Sequence, residues 1–363
     1  MKNVKRILCC VGTRPNFIKV VLLRKLFGQR GFEYRLLHTG QHFDDSMSKI
    51  FFDQLQMGEP EFYLGIGGGT NSEVVGKIIM DAEKIMMEYK PDLVIVPGDV
   101  NSTFACAFAA ASLRIPVAHI ESGLRSFDMD MPEERNRILT DSLSDLLFIT
   151  EPAGLKILRE SGFKEEKLKM VGNTIIDALK CIMPLVETNT IEQSLGISDK
   201  FCLVTFHRPV NVDNETNLRI LCNTLERISS VMQVVFPVHP RTRKQMAKWG
   251  LLKNESIVLT APLGYIEFLA LMRKSCFVLS DSGGVQIESS YFNVPCFTAR
   301  DTAELKITIE EGTNTLVPLN EEIIFTHVLN TLSGNQKVAK PQWLWDGKSS
   351  ERIVDECARY LAI

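Results

Sequence analysis

The chain has 363 residues, long for one core and well suited to two α/β domains, each able to bury its own interior. Its 41 Lys+Arg against 44 Asp+Glu give a formal net charge of -3, which excludes a basic nucleic-acid footprint and a polybasic membrane patch, so any anion must be bound locally. Nine cysteines are scattered without a Cys-x-x-Cys pair, which speaks against a zinc site or a disulfide scaffold and for buried thiols in a reducing cytosol.

The first residues lead into only about five apolar positions, and no segment approaches the ~20 of a membrane span, so a cytoplasmic protein is expected. Apolar runs at Ile7 to Val11, Tyr34 to His38, Leu93 to Val96, Val117 to Ile120 and Leu146 to Ile149 predict parallel strands. Helical patterns lie between them, at Phe17 to Phe27, Glu73 to Tyr89 and Thr103 to Leu113. This alternation makes 1–172 a doubly wound domain.

After Val171-Gly172-Asn173-Thr174 the pattern becomes a helical connector, Ile175 to Val186, then the polar stretch Glu187-Thr188-Asn189-Thr190. A second strand series follows at Cys202 to Thr205, Val234 to Val238, Ile257 to Leu259, Cys276 to Leu279 and Pro295 to Phe297, which makes 173–348 a second domain. The last helix, Glu351 to Leu361 within 349–363, is expected to pack back on the first. The predicted architecture is α/β: two Rossmann-like domains facing across a cleft, with the working groups beyond the carboxyl ends of the strands.

Asp281-Ser282-Gly283-Gly284 reads as a strand, a tight glycine turn and the first turn of a helix. Without side chains at Gly283 and Gly284, backbone N–H groups can close on a phosphate, and a helix N-terminus favours the anion. Gly12-Thr13-Arg14-Pro15, after the first strand, is the corresponding junction in the other domain.

Polar residues follow the other strands too. Arg14 either pairs with phosphate oxygens through its planar fork or closes a turn at the surface. Lys19, one helical turn on, either orients Arg14 or a carboxylate, or is solvated. Asp99 and Glu121 each end a strand, where an acid serves chemistry or caps the next helix. Glu133 and Glu134 open a helix containing Arg137, and for Glu134 the helix dipole is reason enough. His207 precedes Arg208-Pro209 and can donate a proton or hydrogen bond to a leaving phosphate, or be structural. His42, His119 and His239 read as hydrogen-bonded scaffold. Glu288, in the first turn after the cradle, suits ribose hydroxyls, and Phe268 suits a base or the helix core.

Together these segments resemble the non-hydrolysing UDP-N-acetylglucosamine 2-epimerases almost end to end. The resemblance is carried by Gly12-Thr13-Arg14-Pro15-Asn16-Phe17-Ile18-Lys19, Thr39-Gly40-Gln41-His42, Pro97-Gly98-Asp99, His119-Ile120-Glu121-Ser122-Gly123-Leu124-Arg125, Pro132-Glu133-Glu134-Arg135-Asn136-Arg137, His207-Arg208-Pro209, Pro237-Val238-His239-Pro240, Asp281-Ser282-Gly283-Gly284-Val285-Gln286 and Glu311-Gly312-Thr313.

That resemblance implies the glycosyltransferase-B type fold and inversion at C2 of a UDP-sugar without NAD, metal or other cofactor. It implies catalytic roles for Asp99, Glu121, Glu133 and His207. Substrate or UDP contacts would come from Arg14, Lys19, Arg137, Phe268, Ser282, Gly283, Gly284 and Glu288. Gln41, His42 and His239 would form a regulatory UDP-sugar site, and the protein would be a homodimer. Asn16, Ile287 and Leu305-Lys306-Ile307 depart from the family's usual residues; Asn16 is shared with some relatives, whereas the changes at 287 and 305–307 fall near the expected sugar and diphosphate and leave a modified UDP-2-acetamido sugar or a lower activity as the alternatives. Other readings of the same motifs are a hydrolysing epimerase, a glycosyltransferase and a UDP-sugar-binding regulator.

Overall fold

A computed structural model of the chain describes residues 4–40, 57–251, 254, 256–340 and 344–362; of Arg14 it describes the backbone. Apolar runs without polar alternation make strands that must be covered on both faces, and this chain folds that way. In the first unit β1 (Arg6–Val11), β2 (Glu33–His38), β3 (Phe62–Tyr63), β4 (Leu93–Pro97), β5 (Val117–Ser122), β6 (Leu146–Ile149) and β7 (Leu168–Met170) pair in the order β3-β2-β1-β4-β5-β6-β7. Every pairing is parallel.

The second unit holds β8 (Phe201–Thr205), β9 (Gln233–Pro237), β10 (Ile257–Thr260), β11 (Val278–Ser280), β12 (Cys296–Ala299) and β13 (Asn314–Val317), ordered β10-β9-β8-β11-β12-β13 and again all parallel. Each sheet therefore has one place where the winding reverses: between β1 and β4 in the first, between β8 and β11 in the second. Crevices for ligands open at such switch points, beyond the strand C-termini.

The units comprise Met1–Cys181 with Trp343–Ile363, and Ile182–Gln342, so the division falls inside the helix Thr174–Glu187. The terminal helix Ser349–Tyr360 is tied to the first unit by Asp177, whose carboxylate accepts from the N–H groups of Ser349 (3.2 Å) and Ser350 (2.5 Å). These are first-turn donors with no intrahelical acceptor. Arg352 Nη1 adds a bond to the Val171 carbonyl at 2.9 Å.

Alanines on the helix Asn101–Ser112 let it lie close on the first sheet, where Ala105, Ala109 and Ala110 meet Leu8, Val94 and Val96 in one core together with Ile78 and Met86 of the helix Asn71–Tyr89. Phe206, Leu218, Leu221, Leu225, Phe236 and Leu279 anchor the second core. Burying each such side chain contributes about 1.5–3 kcal/mol. All the cysteines are free thiols; Cys181 is exposed and Cys276 half-buried, and the other seven are buried. Among the described residues no helix is long and apolar enough to cross a membrane.

The predicted strands are present with ends displaced by one or two residues, and β3, β7 and β13 are additional. The expected helix Phe17 to Phe27 is instead two helices, Arg14–Val20 and Leu23–Gln29. The chain turns at Val21-Leu22 with neither Gly nor Pro to mark the break, so apolar periodicity runs through it unaltered.

Candidate active site

Asn16 knits together the β1 turn in the first unit. Its Oδ1 accepts from the N–H of Gly12 (3.3 Å) and Thr13 (3.1 Å) and from Thr13 Oγ1 (3.0 Å). Its Nδ2 donates to the carbonyl of Pro97 at the end of β4 (3.1 Å), a bond an ionised glutamate could not make. One turn further along the same helix, buried Lys19 places Nζ 2.6 Å from Oε2 of Glu121.

Glu121 has φ +73°, uncommon for a residue with a side chain, at a register shift in β5 between Ile120 and Ser122. Such backbone costs about 1 kcal/mol or more and persists where the surroundings enforce it. Bulges of this kind re-aim a side chain beside a site, and here the carboxylate ends on Lys19. Gly98, also at φ +73°, leaves the space: a Cβ there would lie 2.8 Å from Lys19 Nζ and 3.1 Å from Asn16 Nδ2.

Asp99 follows Gly98. It does not cap the next helix, whose N-cap is Val100. Its Oδ2 is 2.5 Å from Nη2 of Arg137, and its own carbonyl accepts from Asn136 Nδ2 at 2.9 Å. Burial pushes the Asp99 carboxyl up, but the nearby charges of Arg137 and Lys19 outweigh that and hold it below the usual carboxylate range.

Arg137 in turn donates from Nη1 to Oε2 of Glu134 at 2.8 Å. Glu134 is more than a dipole partner. Its carboxylate is 1% exposed and also accepts from Ser126 N–H (2.8 Å), Ser126 Oγ (3.0 Å) and Phe127 N–H (3.1 Å), fixing the loop after β5. Glu133, its neighbour in the first turn of the helix Pro132–Leu143, is half-buried.

Beneath this cluster His119 is scaffold, as expected. Nε2 donates to the Gly98 carbonyl and Nδ1 lies on Asp141 Oδ1, both at 2.7 Å. Asp141 Oδ2 also accepts from Arg125 Nη2 (2.6 Å) and from Gly123 N–H (3.2 Å). Burial raises the Asp141 carboxyl, and the His119 and Arg125 contacts more than offset it, so the carboxyl sits below its ordinary range.

In the second unit the groups gather where β8 and β11 end. Asp281, fully buried, accepts from the N–H of His207 (3.1 Å) and Arg208 (2.9 Å) and from Asn211 Nδ2 (3.1 Å). His207 is exposed, with Nδ1 3.4 Å from Asp281 Oδ1. Ser282 is the N-cap of the helix Gly283–Tyr291. Its own N–H is taken by Ser280 Oγ at 2.9 Å, so the open donors of the turn are those of the helix itself.

Among the described residues, a Cβ on Gly283 or Gly284 would meet no atom within 4 Å beyond its chain neighbours and its own helix backbone, and neither glycine has positive φ. Nothing in the fold demands glycine at either position. Because the helix already starts at Gly283, Glu288 lies in its second turn, not its first; it is buried and accepts from Tyr265 Oη at 2.7 Å. Phe268 is half-buried on the helix Tyr265–Lys274. His239 is the N-cap of the helix Pro240–Trp249, Nδ1 accepting from Arg241 N–H, and its ring lies 6.0 Å from that of His207.

The structure thus joins Lys19 with Glu121 and Arg137 with Asp99 in one unit, and His207 with the Ser282 turn in the other. The Arg14 side chain, Gln41 and His42 lie outside the described residues. Asp141 has no place in the sequence reading, Asp281 enters it only as the residue before the glycine turn and Glu134 only as a dipole acid, because nothing in a sequence distinguishes a buried acid from a solvated one. Among the described residues no group of three or more His, Cys, Asp or Glu is placed to hold a metal ion.

Comparison with known proteins gives a consistent picture. The family model described as UDP-N-acetylglucosamine 2-epimerase matches residues 24–358. The chain is 40% identical over 358 residues to the UDP-N-acetylglucosamine 2-epimerase of Methanocaldococcus jannaschii, covering 95% of this chain and 96% of that one. It is 38% identical to the UDP-2,3-diacetamido-2,3-dideoxy-D-glucuronate 2-epimerase of Pseudomonas aeruginosa, covering 98% and 99%. The crystal structure of the Methanocaldococcus enzyme in complex with UDP-GlcNAc and UDP superposes with a TM-score of 0.90 at 38% identity, covering 98% of this chain and 99% of that one.

Proposed function

The chain belongs to the UDP-N-acetylglucosamine 2-epimerase family, and from that premise we propose that it interconverts UDP-N-acetylglucosamine and UDP-N-acetylmannosamine by inverting C2. The observation that carries the reading is the pair of carboxylates at adjacent strand ends, Asp99 after β4 and Glu121 in β5, each held by its own buried cation.

The C2 proton of such a sugar is not acidic. Its removal needs a leaving group that accepts the electron pair as the proton departs. In the proposed reaction a carboxylate takes the proton, the C2–H pair becomes the C1–C2 double bond, and the C1–O bond breaks with UDP carrying away its electrons. UDP then adds back to the 2-acetamidoglucal while C2 is reprotonated from the opposite face. Two faces call for acid/base groups on both sides of the ring, and these come from among the three carboxylates Asp99, Glu121 and Glu133. Lys19 and Arg137 position the carboxylates and keep Asp99 ionised.

On the second unit the helix N-terminus at Gly283 receives the diphosphate, and the bare glycines admit it without a Cβ in the way. His207 balances the charge that develops on the departing UDP. Glu288 receives the ribose, Phe268 the uracil, and Arg14 a phosphate.

The finer attributes rest on family likeness. Pro15 and the Phe17-Ile18-Lys19 continuation favour the non-hydrolysing branch. We further propose a cytoplasmic homodimer that supplies N-acetylmannosamine units for envelope polysaccharide, with Gln41, His42 and His239 in a regulatory UDP-sugar site.

Incubation with UDP-N-acetylglucosamine in deuterium oxide, followed by NMR, tests the reading. Deuterium at C2 with the nucleotide sugar intact is the expected result. Accumulating UDP and free N-acetylmannosamine would make it a hydrolysing enzyme. Exchange only with a diacetamido-glucuronate substrate would replace the sugar, and no exchange with either would sink the epimerase.

A further inference from the structure

We propose that Asn136 is a positioning residue for Asp99: with His119 it pins the peptide planes on both sides of that aspartate, so that one carboxylate oxygen, Oδ1, is held out for the C2 proton. The role given to Asp99 above is its premise, and every group in it lies within the first unit.

β4 ends at Pro97, and the N–H of Gly98 still reaches the Ile120 carbonyl of β5 at 3.0 Å. Beyond that point the chain leaves the sheet, and the helix Asn101–Ser112 has not yet begun. The carbonyls of Gly98 and Asp99 receive no backbone N–H among the described residues. Side chains from two other elements serve them instead. His119 Nε2, in β5, lies 2.7 Å from the Gly98 oxygen, and Asn136 Nδ2, on the helix Pro132–Leu143, lies 2.9 Å from the Asp99 oxygen.

Those two oxygens belong to consecutive peptide planes, and the soft angles between the planes are φ and ψ of Asp99. Water could satisfy either carbonyl but would not hold it in place. Both donors are buried and anchored in turn, His119 by Asp141 and Asn136 by Asn101 Oδ1 at 3.2 Å. With the backbone fixed, Asp99 retains only its side-chain torsions, and Arg137 settles these by holding Oδ2 at 2.5 Å. Oδ1 receives no hydrogen bond among the described residues, and the side chain is 27% exposed, enough for a ligand to reach it.

Asn136 and Arg137 are consecutive on one helix, whose first turn carries Glu133. One grips the backbone of Asp99 and the next its carboxylate, so the helix that bears one proposed acid/base group is tied twice to another. Without the Asn136 bond the carboxylate is tethered through Oδ2 alone, and Oδ1 can swing about that contact. A displacement of about 1 Å is enough to cost about a hundredfold in rate.

The test is Asn136→Leu in the full chain, which keeps the side-chain volume and removes the donor. C2 exchange from UDP-N-acetylglucosamine in deuterium oxide is measured per UDP-binding site. We expect kcat to fall about ten- to a hundred-fold with KM and UDP affinity within about threefold, whereas a merely structural loss would lower binding sites and exchange together. Asn101→Ala, which removes the other partner of Asn136 and leaves the Asp99 carbonyl bond, should keep kcat within about threefold. An unchanged kcat in Asn136→Leu, or an equal fall in Asn101→Ala, would overturn the proposal.

Should Asn136→Leu not fold, Asn136→Ala removes the same donor without its bulk and is judged by the same criteria. If neither folds, the Asn136 amide protons of the unaltered protein decide: held by two oxygens they must exchange slowly with solvent, and exchange at the rate of a free amide rejects the clamp. An unaltered protein without C2 exchange refutes the epimerase reading and this inference with it. Exchange that proceeds equally well without the Asn136 donor refutes this inference alone.

Discussion

Lys19 Nζ lies 2.6 Å from Oε2 of Glu121, 102 residues further along the chain, and both side chains are about 10% exposed. A helix C-terminal turn and a β-bulge on different elements are needed to bring them together. Replacing one partner leaves the other charge buried alone. Lys19→Met should therefore cost about 3 kcal/mol and abolish turnover, whereas Lys19→Met with Glu121→Gln should recover much of the stability and none of the activity. Urea unfolding of the two variants provides the comparison, and equal losses would show that the pair is not electrostatically coupled.

Asp99→Asn should lower turnover by about three orders of magnitude while UDP binding is nearly unchanged, since UDP is assigned to the other unit. Weaker UDP binding with normal turnover per bound substrate would mean the residue is misassigned.

Arg137 is the main charge that holds the Asp99 carboxyl low, against the upward push of burial. Removing it with Arg137→Gln should move the acid limb of the turnover profile to higher pH, because more of the Asp99 population is then protonated at a given pH. An acid limb that stays in place would detach Asp99 from that limb.

Two glycines should respond oppositely to alanine. At Gly98 the new Cβ falls 2.8 Å from Lys19 Nζ and φ is +73°, so Gly98→Ala should cost about 1–3 kcal/mol and displace the Lys19 and Asn16 contacts. At Gly283 an added Cβ would meet no described atom within 4 Å beyond its chain neighbours and its own helix backbone, and φ is ordinary, so Gly283→Ala should leave thermal stability unchanged or slightly raised. UDP affinity should nonetheless fall about tenfold or more in calorimetric titration; unchanged affinity would remove the glycine turn from the binding site.

Asp99 and Asp141 both have folded values below their unfolded ones, so their contribution is complete above the unfolded carboxylate range and disappears as pH falls through the folded values. Unfolding followed from pH 7 downward should show the loss developing below about pH 4. Asp141→Asn should flatten that dependence and lower stability at pH 7, where the ionised form bonds His119 and Arg125. An unchanged acid profile would show that Asp141 does not drive it.

The long buried strands were legible because an uninterrupted apolar run such as Leu93–Pro97 has one sensible fate in a parallel sheet. Three of the four edge strands were not: β3, β7 and β13 have two to four residues and half-buried positions, so their pairing comes from the neighbour and not from their own composition. The break at Val21-Leu22 was silent for a similar reason, since no residue there forbids helix.

What the sequence by itself determined is the winding of two α/β units, the family, and the short list of polar residues that follow strand ends, because turn chemistry and apolar spacing are local properties. Only the tertiary structure decided who partners whom. Glu134 changed from a dipole acid to a buried clamp on Arg137, Asn16 became the tie between β1 and β4, and Asp281 became the anchor of His207. Burial and ion pairing depend on residues meeting in space whether 3 positions apart, as Glu134 and Arg137, or 102, as Lys19 and Glu121, and the cost of an unpaired charge is set by that meeting and not by the amino acid alone.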